Sequence, residues 1–155
     1  MSNYTIRVID SYVYRKQDND IYFLVLKRAK TKIYEHLWQS VAGKIKKGEK
    51  AWETAVREVK EETGSSISKL FVADHISQFY EAHKDRVNIV PVFGAETLDK
   101  RIILSSEHSE YKWLKFDQAI ELLSWNGQKK GLISVYEMII KNDDRMKWSI
   151  ININD

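Results

Sequence analysis

The sequence predicts an α/β fold, a mixed β-sheet with helices packed on its faces, and three observations carry that expectation. Apolar runs of strand length recur at residues 5–14, 21–26, 70–80 and 87–93. Between the second and third of these, residues 50–63 place apolar side chains at three- and four-residue spacing, the period of a helix. A second amphipathic pattern covers residues 132–140. Strands interspersed with helices indicate a sheet whose faces the helices cover.

Taken in order, residues 5–14 alternate loosely, with Ile6, Val8, Tyr12 and Tyr14 apolar, as in a strand with one buried face. Asp18, Asn19 and Asp20 form a turn signal, and Ile21–Leu26 is nearly continuous apolar sequence, suited to a strand buried on both faces. Leu37–Val41 reads as a short strand feeding a loop, Ala42–Glu49, that contains Gly43 and Gly48. The helix over 50–63 follows, its stripe formed by Trp52, Ala55, Val56, Val59 and Thr63. Gly64 stands where a left-handed C-terminal cap is expected. Two further strands, a short strand at 111–116, and helices at 117–123 and 132–140 complete the prediction. The tail from residue 142 has no assignable pattern.

At 155 residues the chain fits one domain, 1–155, with aromatic-rich apolar content: five Trp, eight Tyr and five Phe. One proline and six glycines argue against a low-complexity segment. A net charge of +3 hints at anionic partners without indicating a nucleic-acid polymer, which is not an expected partner. The absence of cysteine excludes disulfides and thiolate metal sites and agrees with a reducing compartment. Arg7 and Asp10 interrupt the N-terminal apolar stretch, so it lacks a signal-peptide core. No apolar run reaches the ~18 residues of a membrane span. The expectation is a cytoplasmic protein, monomer or homodimer, with no membrane partner.

Chemistry concentrates between Gly43 and Gly64, in GKIKKGEKAWETAVREVKEETG. On a helix, Glu58, Glu61 and Glu62 fall within about a third of the circumference, nearly opposite the Val56 and Val59 stripe. Like charges at this spacing repel by roughly 0.2–0.5 kcal/mol per pair on an exposed helix. A broken local rule of this kind marks a candidate functional site, and a divalent cation turns the repulsion into attraction. Mg²⁺ fits carboxylate and phosphate oxygens best, with Mn²⁺ a possible substitute. Arg57, four residues before Glu61, can hold the carboxylates in orientation. The bland alternative is a surface helix laced with glutamate and lysine, a pattern common in solvated faces.

The pattern is gapless: Gly43, five residues, Glu49, seven residues, then Arg57, Glu58, Val59, Lys60, Glu61, Glu62, Thr63 and Gly64. It resembles the Nudix box at all seven of its fixed positions, a chance match on the order of 10⁻⁷–10⁻⁶ for this length. One position departs, because Ser65 stands where the box has a bulky aliphatic residue, and Ile67 is the expected substitute in that packing role. The resemblance implies a Nudix α/β/α sandwich and a pyrophosphohydrolase. It implies metal ligation by Glu58, Glu61, Glu62 and the Ala42 carbonyl, with Glu58, Glu61 and Arg57 in the catalytic set.

Within the family, Leu37–Val41, Glu107-His108 and Tyr111–Leu114 resemble the dihydroneopterin triphosphate diphosphatases and the dATP pyrophosphohydrolases grouped with them. That resemblance makes Glu107 a loop carboxylate that binds metal or acts as general base. It makes Arg28 a phosphate clamp and Ser124 a substrate contact, against an ordinary surface arginine and a helix-end cap. Tyr80 and Trp125 are candidates to stack on a flat heterocycle, with core packing as the alternative. Lys44, Lys46, Lys47 and Lys50 flank the loop and can attract polyphosphate or form a plain solvated face. His75, His83 and His108 lack mutual ligand spacing, so no histidine–metal site is expected. The implied substrate is a small polyphosphate, a (deoxy)nucleoside or dihydroneopterin triphosphate cut to monophosphate and pyrophosphate. The alternatives are diadenosine polyphosphates, with Tyr80 resembling a tyrosine of that group, ADP-ribose, or a non-catalytic nucleotide sensor.

Overall fold

A computed structural model describes residues 1–154. The strands are β1 (Asn3–Thr5), β2 (Val8–Gln17), β3 (Asp20–Arg28), β4 (Trp38–Gln39), β5 (Val41–Lys44), β6 (Lys69–Glu81), β7 (Arg86–Glu96), β8 (His108–Leu114) and β9 (Ile150–Ile151). The helices are α1 (Ala51–Thr63), α2 (Phe116–Leu122), α3 (Asn126–Lys141) and α4 (Asp144–Ser149). One mixed sheet runs β4-β3-β2-β7-β6-β9, with β1 on β7, β5 on β2 and β8 on β3. The β2–β7 and β1–β7 pairings are parallel, and the β2–β3 and β6–β7 pairings are antiparallel.

Alternation along β2 shows how the sheet divides the interior. Ile9 and Val13 point to one face, where Ala55 and Val59 of α1 cover them. Tyr12 and Tyr14 point to the other, against Leu132, Val135 and Met138 of α3. Two apolar clusters on opposite faces of one sheet make the expected α/β/α sandwich. Among the described residues no helix is long and apolar enough to cross a membrane.

Several boundaries differ from the sequence expectation for identifiable reasons. The predicted strand over 5–14 breaks at Ile6 and Arg7, where the chain leaves β7 on one side and rejoins it through β2. The predicted strand over 37–41 is two strands, because β4 pairs with β3 while β5 crosses to β2. Helix α3 begins six residues before its predicted start at Leu132. Gly131 lies so close to Tyr12 that an added Cβ would sit 2.6 Å from its hydroxyl, so the glycine serves close packing and does not end the helix. The unassigned tail supplies Met146 to the α3-side core and lays Ile150 and Ile151 along β6. Ile67 is partly buried against the α1-side core, as the Ser65 departure requires, while Ser65 itself is buried.

Candidate active site

Helix α1 ends as predicted: Gly64 adopts φ 74°, and its N–H donates to the Lys60 carbonyl at 2.9 Å. At its start the Lys50 N–H donates to Glu53, and Glu49 accepts from the Lys46 N–H and the Thr54 hydroxyl. Glu49 thereby closes the Gly48 turn onto the helix. Arg57 sits at the centre of the box. Its guanidinium donates to Glu49 at 2.8 Å, to Glu58 at 2.6 Å, to Glu61 at 3.1 Å and to the Lys44 carbonyl at 2.9 Å. The Arg57 hydrogen bonds hold Glu49 well below the usual carboxylate range. One cation thus ties three carboxylates and the loop into a single network.

Gly43 explains why the loop needs glycine. A Cβ there would fall 2.2 Å from the Glu58 side chain, so the missing side chain is the space in which Glu58 lies. The Ile45 N–H bonds to the Arg7 carbonyl at 2.9 Å. With Ile9 paired to Gly43 and Asp10 to Ala42, the antiparallel alternation turns the Ala42 carbonyl away from β2, to the open edge of β5.

The three box glutamates differ in burial, which the expectation of one face nearly opposite the apolar stripe did not anticipate. Glu61 is exposed and Glu58 is half-buried, but Glu62 is only 2% exposed. The buried face of α1 extends through Ala55 to Glu62, so Glu62 lies on the margin of the core and not opposite it. Neither carboxylate oxygen of Glu62 has a hydrogen-bond partner among the described residues. Burial, together with the neighbouring Glu107 and Glu58 carboxylates, pushes Glu62 up to about 10. Burial also raises Glu58, against the Arg57 contact.

Glu107 reaches the same place from the loop before β8. The Ala29 N–H bonds to its carbonyl at 2.9 Å, and Arg28 stands 4.0 Å from its carboxylate. A ring nitrogen of His108 joins Glu62 and Glu107, the three ligand atoms lying within 4.8 Å of one another. The expectation of no histidine–metal site rests on the lack of mutual ligand spacing among His75, His83 and His108, a criterion blind to a histidine that joins carboxylates instead of other histidines. His108 is far from the box in sequence, and only the pairing of β8 with β3 brings it there. Burial lowers His108 to about 4, which keeps its ring neutral. Buried carboxylates without partners, beside a neutral imidazole, are a donor set suited to a divalent cation.

Of the remaining candidates, Arg28 is adjacent to this cluster, while its Nε donates to the Ile33 carbonyl at 3.3 Å. That bond anchors the loop carrying Tyr34, whose ring meets Trp125 edge-on at 5.8 Å. Both rings are more than half exposed, and neither belongs to the core. Tyr34 had no signal in the sequence. Ser124 is exposed beside Trp125, and α3 has no side-chain cap, so the helix-cap alternative for Ser124 does not hold. Tyr80 is not joined to this group. Its hydroxyl donates to Asp85 at 2.7 Å on the β6–β7 hairpin. The four lysines flanking the loop are all exposed.

The NUDIX domain family matches residues 5–135 of the chain. The chain belongs to the Nudix family. It is similar to the asymmetrical bis(5'-nucleosyl)-tetraphosphatase of Rattus norvegicus, 32% identical over 76% of this chain and 80% of that one. A second relative of that name, from Caenorhabditis elegans, is 29% identical over 73% of this chain and 81% of its own length. Among solved structures, one assigned to the NUDIX hydrolases from Listeria monocytogenes superposes with a TM-score of 0.75 at 28% identity, covering 88% of this chain and 95% of that one. A C. elegans Ap4A hydrolase complex shares the fold at TM-score 0.72 and 22% identity, covering 88% and 99%. The chain is a Nudix hydrolase, and its box residues are those surrounding Arg57 and Glu62.

Proposed function

We propose that this Nudix hydrolase cleaves a phosphoanhydride bond of a dinucleoside polyphosphate, using a divalent cation held by Glu58, Glu61, Glu62 and the Ala42 carbonyl. The observation that carries the site is Glu62, a buried carboxyl that no protein donor reaches among the described residues and that faces a second carboxylate, Glu107, with which it can only share a proton. Such an arrangement is costly unless a cation occupies it. The reading of the substrate is supported by the relatives, which are tetraphosphatases of bis-nucleosyl compounds. It is also supported by Tyr34 and Trp125, two exposed rings in edge-on contact, the first on the loop that Arg28 anchors, which offer a flat base a surface to stack on.

When bound, Mg²⁺ or a similar ion would neutralise phosphate charge and lower the pKa of a coordinated water. The chain's own residues do the rest. Arg57 holds Glu58 and Glu61 in place and keeps the loop against the helix. Glu107, the more exposed partner of Glu62, accepts the proton of the attacking water, or Glu58 does so in its place. Arg28 clamps a phosphate oxygen. Asymmetric hydrolysis of a tetraphosphate between two nucleosides leaves one monophosphate and one triphosphate.

The triphosphate reading retains its own support in the segments Leu37–Val41 and Tyr111–Leu114. A turnover panel with Mg²⁺ separates the two, comparing diadenosine tetraphosphate, the NTPs and dNTPs, dihydroneopterin triphosphate and ADP-ribose with chromatography of products. Preference for diadenosine tetraphosphate, with AMP and ATP released, is the expected result. Preference for a triphosphate with release of pyrophosphate overturns the substrate assignment and keeps the site.

A further inference from the structure

The box accounts for oxygen ligands on α1, but His108 lies outside it and has no assigned part. His108 is 4% exposed, with Nε2 2.9 Å from the Gln39 side-chain nitrogen and Nδ1 buried without a hydrogen-bond partner among the described residues. A neutral imidazole carries one donor and one lone pair, and the neighbour of one nitrogen decides the role of the other. The Gln39 amide fits Nε2 in either orientation: with its nitrogen there Nδ1 carries the ring proton, and with its oxygen there Nε2 carries it and the Nδ1 lone pair is free. One ring nitrogen of His108 lies within 4.8 Å of a Glu62 and a Glu107 oxygen, and among the described residues neither Nδ1 nor either Glu62 oxygen has a hydrogen-bond partner. The feature is therefore more than an acidic cluster. Three side chains from two separate segments converge on one small volume, and two of the three are more than nine-tenths buried.

We propose that Glu62, Glu107 and His108 form a mixed oxygen–nitrogen cation position, selective for a transition-metal dication such as Mn²⁺ over Mg²⁺. The proposal rests on the metal-dependent reading above and adds a ligand that the box does not contain. Hard, strongly hydrated Mg²⁺ gains little from an imidazole, whereas borderline ions accept nitrogen readily. Gln39 acts from behind the ring, fixing its tautomer and orientation as an outer partner of a metal-bound histidine does. Glu107 retains a second oxygen when one faces the cation, so ligation and proton acceptance are compatible.

The test is electron spin-echo spectroscopy of Mn²⁺ added to the wild-type protein, with and without ¹⁵N-labelled histidine. The expected result is nitrogen modulation from a directly bound imidazole that changes with the isotope. In His108→Asn the modulation should vanish and Mn²⁺ affinity should fall about tenfold or more, with a much smaller change for Mg²⁺. Mn²⁺ bound without nitrogen coupling overturns this proposal and leaves the oxygen-only site standing. Absence of any bound Mn²⁺ or Mg²⁺ overturns the metal reading itself. The wild-type spectrum decides even where the variant fails to fold.

Discussion

Glu62, from the last turn of α1, and Glu107, from the loop before β8, bring carboxylate oxygens within 4.8 Å of each other, and neither Glu62 oxygen has a hydrogen-bond partner among the described residues. Among the described residues the one guanidinium in ion-pair range of this pair is that of Arg28, 4.0 Å from Glu107, while Arg57 is engaged by Glu49, Glu58 and Glu61. Two facing carboxylates at this depth repel each other and forgo hydration, so without a cation one of them is held protonated.

Glu62→Gln keeps the shape and removes the charge. It should lower kcat by orders of magnitude while leaving thermal stability without metal equal or higher. The pH dependence provides a second measure. In the folded protein the Glu62 carboxyl, at about 10, lies above its ordinary value of 4.5. The raised value favours the protonated form, so this contribution is fully present below the unfolded value and is lost as pH rises toward the folded one. His108, lowered from 6.5 to about 4, works in the opposite sense as pH falls below its ordinary value. Above that range Glu62 acts alone of the two. Metal-free wild type should lose stability between about pH 7 and pH 9, by up to about 1.4 kcal/mol per unit, and Glu62→Gln should not. Equal slopes in the two proteins, measured by chemical denaturation, would remove the buried charge from the account.

For Glu107→Gln, kcat should fall by about 10²–10⁴ if this carboxylate accepts the proton of water. The low-pH limb of the rate profile should flatten, because the titrating group is gone. A Mg²⁺ titration of the same variant measures its share in ligation, with restoration by excess ion marking a ligand. Wild-type behaviour in both would return Glu107 to an ordinary loop and leave Glu58 as the base.

Gly43→Ala tests the loop. The new methyl occupies the place of the Glu58 carboxylate, 2.2 Å from its Cδ, and the side chain must swing away from Arg57. Because a flexible side chain yields more easily than backbone, stability should change little. The displaced carboxylate should cost about 10²-fold in kcat. Loss of folding comparable to the loss of rate would show that the close approach is structural only.

Trp125→Ala and Tyr34→Ala should each raise KM for a nucleotide substrate by about tenfold, with kcat nearly unchanged, because stacking on one ring contributes about 1–3 kcal/mol. Tyr80→Ala should leave KM alone. An unchanged KM in both ring variants would place the base elsewhere.

The sequence made the box, the helix that carries it and the Gly64 cap readable, since all are local and periodic. The mixed sheet with helices on its faces followed from the order of strands and helices, and the α/β/α sandwich from the resemblance that the box carries. Glu62 was expected nearly opposite the apolar stripe because a helical wheel knows nothing of how far the sheet wraps around α1. The surroundings of His108 and Tyr34 were not legible for a different reason: the β3–β8 pairing and the loop anchored by Arg28 create them. Tyr80 had a spacing in its favour, yet its hydroxyl is engaged by Asp85 on a hairpin.

The most direct test of the metal-dependent hydrolysis is the initial rate on diadenosine tetraphosphate after exhaustive EDTA treatment, as Mg²⁺ or Mn²⁺ is returned stepwise. The rate should be absent in chelator and rise to a plateau with added ion in the wild-type protein, but not in Glu62→Gln. Full turnover in EDTA, or a plateau in the variant equal to that of wild type, would contradict it.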